Sequence, residues 1–308
     1  MRVEKSRISV CICTYRRQRL LERLLEKIAG QITHDEFTYS VVVVDNDAEG
    51  SGREVVMRMK GKCNFTIQYH LEPHRSISHA RNRSVAGAEG DMIAFIDDDE
   101  FPADDWLLQN HRSLLASEAD GVLGPVLPHF ETPGPAWLVR SGLLDRVRFK
   151  SGEVISSARY MRTGNVLLWR RLFADGGFDP KYGLSGSGDT VFFKRKMETG
   201  CVFIWCDEAL VYETVPLERQ RRSYYLRRAC TRGMTEAWQS PFLSRGTLKS
   251  AVAVLLYTAA LPFLGLFGQH VFMRYLVKSC DHLGKLLAYI NVTLVRERPY
   301  QEASLPSA

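Results

Sequence analysis

The first third of the chain alternates between two kinds of stretch. Short runs dense in apolar and β-branched residues, ISVCICTY (8–15), SVVVVD (40–45), TIQYHLE (66–72) and MIAFID (92–97), read as buried strands. Between them, apolar positions recur at helical spacing. In RRQRLLERLLEKIAG, Leu20, Leu21, Leu24, Leu25 and Ile28 share one face and Gly30 is a natural stop. GREVVMRMK (52–60) and SISHARNRSVAGAEG (76–90) have the same character. Strands alternating with helices of this length predict an α/β, doubly wound parallel sheet with helices on both faces. In such sheets ligands bind off the carboxyl ends of the strands, near the switch point. Thr14 and Tyr15, then Asp45, then Asp97, Asp98 and Asp99 each stand where a strand is expected to end.

From Pro125 to about Ser157 the pattern lapses into a Pro- and Gly-rich stretch, GPVLPHFETPGPAWL, which reads as a loop or lid. A second structured part follows, with a helix opened by Asp189 and closed by Gly200, and short strands at VFIWC (202–206) and ALVYE (209–213). Beyond Glu213 the character changes. Arg219, Arg221, Arg222, Arg227, Arg228 and Arg232 crowd one segment with Tyr224 and Tyr225, and Ser250 to Met273 then runs 24 residues without a charge, between Lys249 and Arg274. Roughly 20 apolar residues suffice to cross a bilayer. Pro262, Gly265, Gly268, Gln269 and His270 interrupt this run, however, and basic residues flank both ends. A re-entrant or surface-lying segment fits better than a full span, and the following Phe272, Tyr275, Leu276, Leu283, Leu286, Leu287, Ile290 and Leu294 have the spacing of an interfacial helix. The other reading is a buried helical hairpin of a soluble domain. The expected division is a domain over 1–240 and a helical membrane-association region over 241–308.

Composition adjusts this picture only slightly. The 308 residues are 45% hydrophobic and 25% charged, with a net charge of +6, which suits a globular chain with phosphate-bearing ligands or an acidic membrane face. No zinc-finger spacing or aromatic-interleaved basic sheet motif accompanies the charge, so nucleic acid is not expected. Seven cysteines without a C-x-x-C pair read as reduced core thiols. The opening MRVEKSRISV lacks the apolar core of a signal peptide, so the chain is expected to start in the cytoplasm.

The candidate chemistry lies in IDDDEFP, where four carboxylates follow a buried strand. Like charges so placed repel, and something positive must sit among them. If the strand continues, Asp97 and Asp99 share a face and suit a hard divalent cation, Mg²⁺ or Mn²⁺, with substrate phosphates and water completing its shell. The alternative is a solvated acidic loop at the start of the next helix.

The blocks ISVCICTYRR, VVVVDND, SISHARNRSVAGAEGDMIAFIDDDEFP, TGNVLLWRRLF…GGFD and GSGDTVFFKR…G resemble, in order and spacing, the family 2 glycosyltransferases, over about residues 7 to 235. Within that family the chain is most similar to bacterial exopolysaccharide glucosyltransferases of the succinoglycan type. The resemblance implies the GT-A fold. It also implies an inverting transfer of a sugar, glucose by this likeness, from a nucleotide-diphosphate donor, such as a UDP-sugar, to a lipid-linked oligosaccharide or other glycan. By the same resemblance Thr14, Tyr15 and Asp45 hold the nucleotide base and Arg81 faces the diphosphate. Asp97 and Asp98 lie near ribose and metal, Asp99 is the principal metal ligand, and Asp189 is the general base. Two positions depart from the family pattern. Gly188 stands where relatives usually carry Glu, and Glu213 stands where many carry a metal-contacting His.

Each residue also has a plainer role: Tyr15 as a core aromatic, Asp45 in an Asx-turn, Arg81 as a solvated helix charge, Asp189 as an N-cap. A lipid-linked acceptor would live at the cytoplasmic side of the inner membrane, where the arginines of 219–232 could meet phosphates and Trp137 could stack on a sugar. Rival functions are a nucleotidyltransferase, disfavoured by the absence of a Gly-rich phosphate loop with its Lys, and a membrane-docked adaptor that binds nucleotide sugar without turnover.

Overall fold

The computed structural model describes residues 5–183, 187–238, 242, 244–290 and 292. The chain forms two compact units, one of Met1–His129 with Arg146–Thr214 and one of Phe130–Asp145 with Val215–Ala308. The second unit resumes at Val215, where the character of the sequence changes after Glu213, and it also takes part of the Pro-rich stretch.

The first unit opens with β1 (Ser6–Thr14), α1 (Gln18–Ala29), β2 (Phe37–Asp45), α2 (Arg53–Lys60), β3 (Ile67–Leu71), α3 (Ile77–Gly87) and β4 (Met92–Phe95). After β5 (Glu100–Pro102) come α4 (Trp106–Leu115), β6 (Gly121–Leu123) and β7 (Val126–His129). The second unit contributes the short α5 (Ala136–Val139), and the first resumes with β8 (Val166–Trp169), α6 (Gly188–Glu198), β9 (Phe203–Trp205) and β10 (Val211–Thr214). Seven strands form one sheet in the order β3-β2-β1-β4-β8-β6-β9, and β5, β10 and β7 form a second, three-stranded sheet. β1 pairs in parallel with β2 and β4, as the alternating pattern predicts, but β8 runs antiparallel to both β4 and β6. A long excursion precedes β8, and its apolar VLLW carries no mark of direction.

The period-2 alternation of a strand distributes the core to both faces of the sheet. Ile8, Val10 and Ile12 of β1 pack with Leu21, Leu24 and Leu25 of α1 and Val55 and Val56 of α2, while Cys11 packs on the other face with Ala80 of α3 and Phe192 and Phe193 of α6. Each such side chain contributes about 1.5–3 kcal/mol through burial. The parallel register brings Thr14 opposite Asp45 and Cys11 opposite Phe95, so the carboxyl ends of β1, β2 and β4 share one edge.

The second unit is helical: α5, α7 (Arg222–Trp238), α8 (Arg245–Gly265) and α9 (Gln269–Tyr289). Leu138, Tyr225, Ala229, Met273 and Val277 form its core. The uncharged run expected as one segment is broken at Gly268, whose φ of 106° only glycine adopts readily, into α8 and the start of α9. α9 packs against both α7 and α8; Leu294 lies outside the described residues. α8 is long and apolar enough to cross a membrane, and Ser250 is its one buried residue among those described. That is not the burial of a core helix.

Candidate active site

The turn after β1 sets the site. Arg16 is left-handed, with φ of 55°, a conformation costly to a residue with a Cβ. It is held there by a two-pronged ion pair, Nε and Nη2 lying 3.1 and 3.2 Å from the Asp47 carboxylate. The twist delivers Arg17, at the start of α1, to the end of β4.

There the three aspartates adopt different environments, because the strand ends at Phe95 and alternation no longer governs them. Asp98 is buried and spent on the protein. Its Oδ2 accepts from Thr14 Oγ1 at 2.9 Å and the Tyr15 amide at 3.4 Å, and its Oδ1 accepts from Arg17 Nη1 at 2.7 Å. The same Arg17 nitrogen is 3.0 Å from Asp99 Oδ2. Asp97, whose side chain is 45% exposed, has Arg81 Nη2 at 3.7 Å. Burial pushes the Asp98 carboxyl up to about 6, Arg17 opposing and Asp99 adding to the rise. Asp97 is also pushed up, by loss of surrounding water first, against the pull of Arg81 and with the help of Asp99 and Asp189. That Asp189 and Arg146 both act on Asp97 puts them within electrostatic reach of the cluster.

Glu100 completes the run in an unexpected way. Its carboxyl is buried, accepts from the Asp97 amide at 3.1 Å, and is driven well above the usual carboxylate range by burial and by Asp97. Glu213, paired across from Glu100 in the second sheet, forms an ion pair with Arg146.

Asp45 is fully buried and carries three donors: the Asp47 amide at 3.1 Å, the Gly52 amide at 2.6 Å and the Tyr69 hydroxyl at 3.0 Å. Tyr15 is half-buried, and the Arg75 guanidinium lies 4.8 Å from its ring centre. Asp189 lies in the first turn of α6, 7% exposed, with Oδ1 accepting from the Thr190 amide at 2.9 Å. At Gly188 an added Cβ would stand 3.2 Å from the buried Ser78 hydroxyl, a tight contact, so a side chain there would press on Ser78. Trp137 belongs to the second unit, edge-on to Tyr225 at 5.8 Å.

The expected residues Thr14, Tyr15, Arg81, Asp97, Asp98 and Asp99 thus come together, and Thr14 is in register with Asp45. Sequence reasoning missed Arg17, Arg146 and Glu100. The basic run YRRQR was legible as charge, but not its direction. A divalent cation fits what remains: the carboxylates of Asp97 and Asp99 keep exposed surface, whereas Asp98 does not. Among the described residues no group of three or more His, Cys, Asp or Glu could hold a metal. Mg²⁺ and Mn²⁺ take phosphate and water besides one or two carboxylates.

The pattern of glycosyl transferase family 2 matches residues 9–177. The chain belongs to that family. This glycosyltransferase is 35% identical to the succinoglycan biosynthesis protein ExoM of Rhizobium meliloti over 237 residues, 75% of this chain and 74% of the relative. It is 26% identical to the glycosyltransferase AglE of Haloferax volcanii over 194 residues, 63% of this chain and 62% of that one. Among solved structures it resembles the mannosyltransferase PcManGT of Pyrobaculum calidifontis in complex with GDP-Man and Mn²⁺, with a TM-score of 0.62, 19% identity, and 94% of this chain and 87% of that chain covered. It also resembles S. aureus TarS 1–349 in complex with UDP-GlcNAc, with a TM-score of 0.54, 16% identity, and 92% and 91% covered. These distant likenesses establish the GT-A fold.

Proposed function

We propose that this glycosyltransferase moves a sugar, glucose in our reading, with inversion from a UDP-sugar to a lipid-linked oligosaccharide in exopolysaccharide synthesis. The observation that carries the reading is the convergence of Thr14, Asp45 and the Asp97–Asp99 carboxylates on one sheet edge. The glucose, the polysaccharide and the lipid-linked acceptor are drawn from the likeness to the succinoglycan protein. A nucleotide-sugar donor is supported by the GDP-Man and UDP-GlcNAc held by the structural relatives.

In this reading Thr14, Tyr15 and Asp45 take the base. Asp45 is fully buried on three protein donors, so a base N–H would reach its fourth acceptor site only if the turn around Gly52 yields. Arg81 engages phosphate oxygens through its fork of donors. Asp97 and Asp99 would hold Mg²⁺ or Mn²⁺, which when bound supplies positive charge to a departing diphosphate. Asp189 removes the proton of an acceptor hydroxyl. That oxygen bonds to the anomeric carbon while the bond from carbon to the diphosphate oxygen breaks, and the electron pair leaves with the nucleoside diphosphate. Inversion follows from attack opposite the leaving group.

The acceptor's lipid gives α8 a purpose. Its exposed Leu255, Leu256 and Phe263 are apolar, and Arg245 and Lys249 stand at one end, as suits an anionic cytoplasmic leaflet and a peripheral or monotopic attachment. The deciding experiment is radiolabelled sugar transfer on membranes by Asp189→Asn, beside a thermal-shift assay of UDP with Mn²⁺. Transfer is expected to vanish while the nucleotide still stabilises the fold; retained turnover removes Asp189 from the base role.

A further inference from the structure

The carboxylates after β4 already have a cation, and the chain supplies it. Arg17 Nη1 bridges Asp98 Oδ1 at 2.7 Å and Asp99 Oδ2 at 3.0 Å. The Arg17 side chain is 43% exposed, so these two contacts rather than packing hold it. The neighbouring arginines are differently placed. Arg81 is 11% exposed beside Asp97, with its guanidinium over the Phe178 ring, and Arg146 is paired with Glu213. Arg17 is therefore a guanidinium seated on the residue assigned above as the principal cation ligand.

We propose that Arg17 is an internal counter-cation that occupies Asp99 until a nucleoside diphosphate arrives, and then transfers to its phosphates, making divalent cation and nucleotide binding mutually dependent. The proposal rests on the assignment of Asp99 to the cation site. Its physics is simple. A guanidinium and a divalent cation cannot both sit against one carboxylate without strong like-charge repulsion. A diphosphate relieves that conflict by offering the guanidinium other oxygens, for which Arg has five N–H donors in a planar fork. A cation arriving alone must drive Arg17 from Asp99 and leave it on Asp98 alone, still beside the charge that displaced it. The same residue thus suppresses capture of free metal and assists capture of metal with donor, a coupling between two ligands that must be reciprocal.

The test is calorimetric titration of the full-length chain with Mn²⁺ alone, UDP alone, and Mn²⁺ at saturating UDP, for wild type, Arg17→Gln and Arg17→Lys. In wild type, UDP is expected to tighten Mn²⁺ by about tenfold or more, in the usual range of ligand coupling. In R17Q, Mn²⁺ alone is expected to bind more tightly than in wild type, with the UDP enhancement reduced to about twofold. R17K keeps the charge with a single-point donor, and is expected to fall between the two; it carries the test should R17Q fail to fold. Unchanged Mn²⁺ affinity and unchanged enhancement in the folded variants would overturn the proposal and leave the site assignment standing. Absence of both Mn²⁺ and UDP binding in wild type would overturn the site and the proposal together.

Discussion

Gly164 lies directly against Glu100: a Cβ added at residue 164 would stand 2.5 Å from Oε1 and 2.7 Å from Oε2. The buried carboxyl has no open space to retreat into, and its Oε2 holds the Asp97 amide. We therefore expect Gly164→Ala to cost about 1–3 kcal/mol in urea unfolding, as overpacking does, and to weaken Mn²⁺–UDP binding by moving Asp97. Wild-type affinity in a destabilised Gly164→Ala protein would detach Glu100 from the site.

The next residue, Asn165, makes the same segment structural. Its Oδ1 accepts from Trp106 Nε1 at 2.8 Å, and its Nδ2 donates to the Pro125 and Ala209 carbonyls at 2.9 and 2.7 Å. Asn165→Ala would take the partner from the Trp106 N–H and the Ala209 carbonyl, at about 1–3 kcal/mol each before relaxation, while the Pro125 carbonyl keeps the Val211 amide. A loss of stability with unchanged UDP affinity at low temperature is the expected signature.

The ion pair of Arg16 with Asp47 makes stability depend on pH. Asp47 is buried, which raises its carboxyl, yet the hydrogen bonds and charge of Arg16 hold it below the ordinary value. A depressed carboxyl contributes stability above its unfolded value, about 3.9, and loses it as pH falls through the folded value. Asp47→Asn is thus expected to melt below wild type at pH 7, with the gap closing below about pH 4. A gap independent of pH would assign the loss to geometry rather than charge.

The strands β1, β2 and β4 were legible because buried parallel strands read as continuous apolar runs, and the polar residues at their ends marked the site. The order of the sheet was not, since VLLW of β8 is equally apolar in either direction. The acid run posed the right question, what positive group sits among Asp97, Asp98 and Asp99. Part of the answer, Arg17, was hidden because a left-handed Arg16 aims it, and nothing in YRRQR signals that conformation. Asp98 is set apart from Asp97 and Asp99 as alternation expects, although the strand itself stops at Phe95 and the turn, not the pleat, separates them.

The exposed side of α8 yields its own expectation. Leu255 and Phe263 are 72% and 69% exposed, and no buried contact depends on them. Leu255→Asp with Phe263→Asp should leave the melting temperature in place and move the protein from sedimented anionic vesicles to the supernatant, because carboxylates are costly in the hydrocarbon region. Undiminished co-sedimentation would require another surface to carry the attachment.

Within the helical unit, α7 and α9 approach through two glycines. A Cβ at Gly284 would collide with the Cys230 carbonyl, and one at Gly233 with the Asp281 carbonyl. Backbone cannot rotate aside as a side chain can, so the helices must separate. Separation would also strain the Arg232–Asp281 pair at 2.8 Å and the buried Lys285, which donates to Glu236 at 2.7 Å. Gly284→Ala is accordingly expected to destabilise this unit by about 3 kcal/mol or more, read as faster amide exchange along α7 and α9. Slow exchange preserved in Gly284→Ala would mean that the two helices pack less closely than their glycines allow.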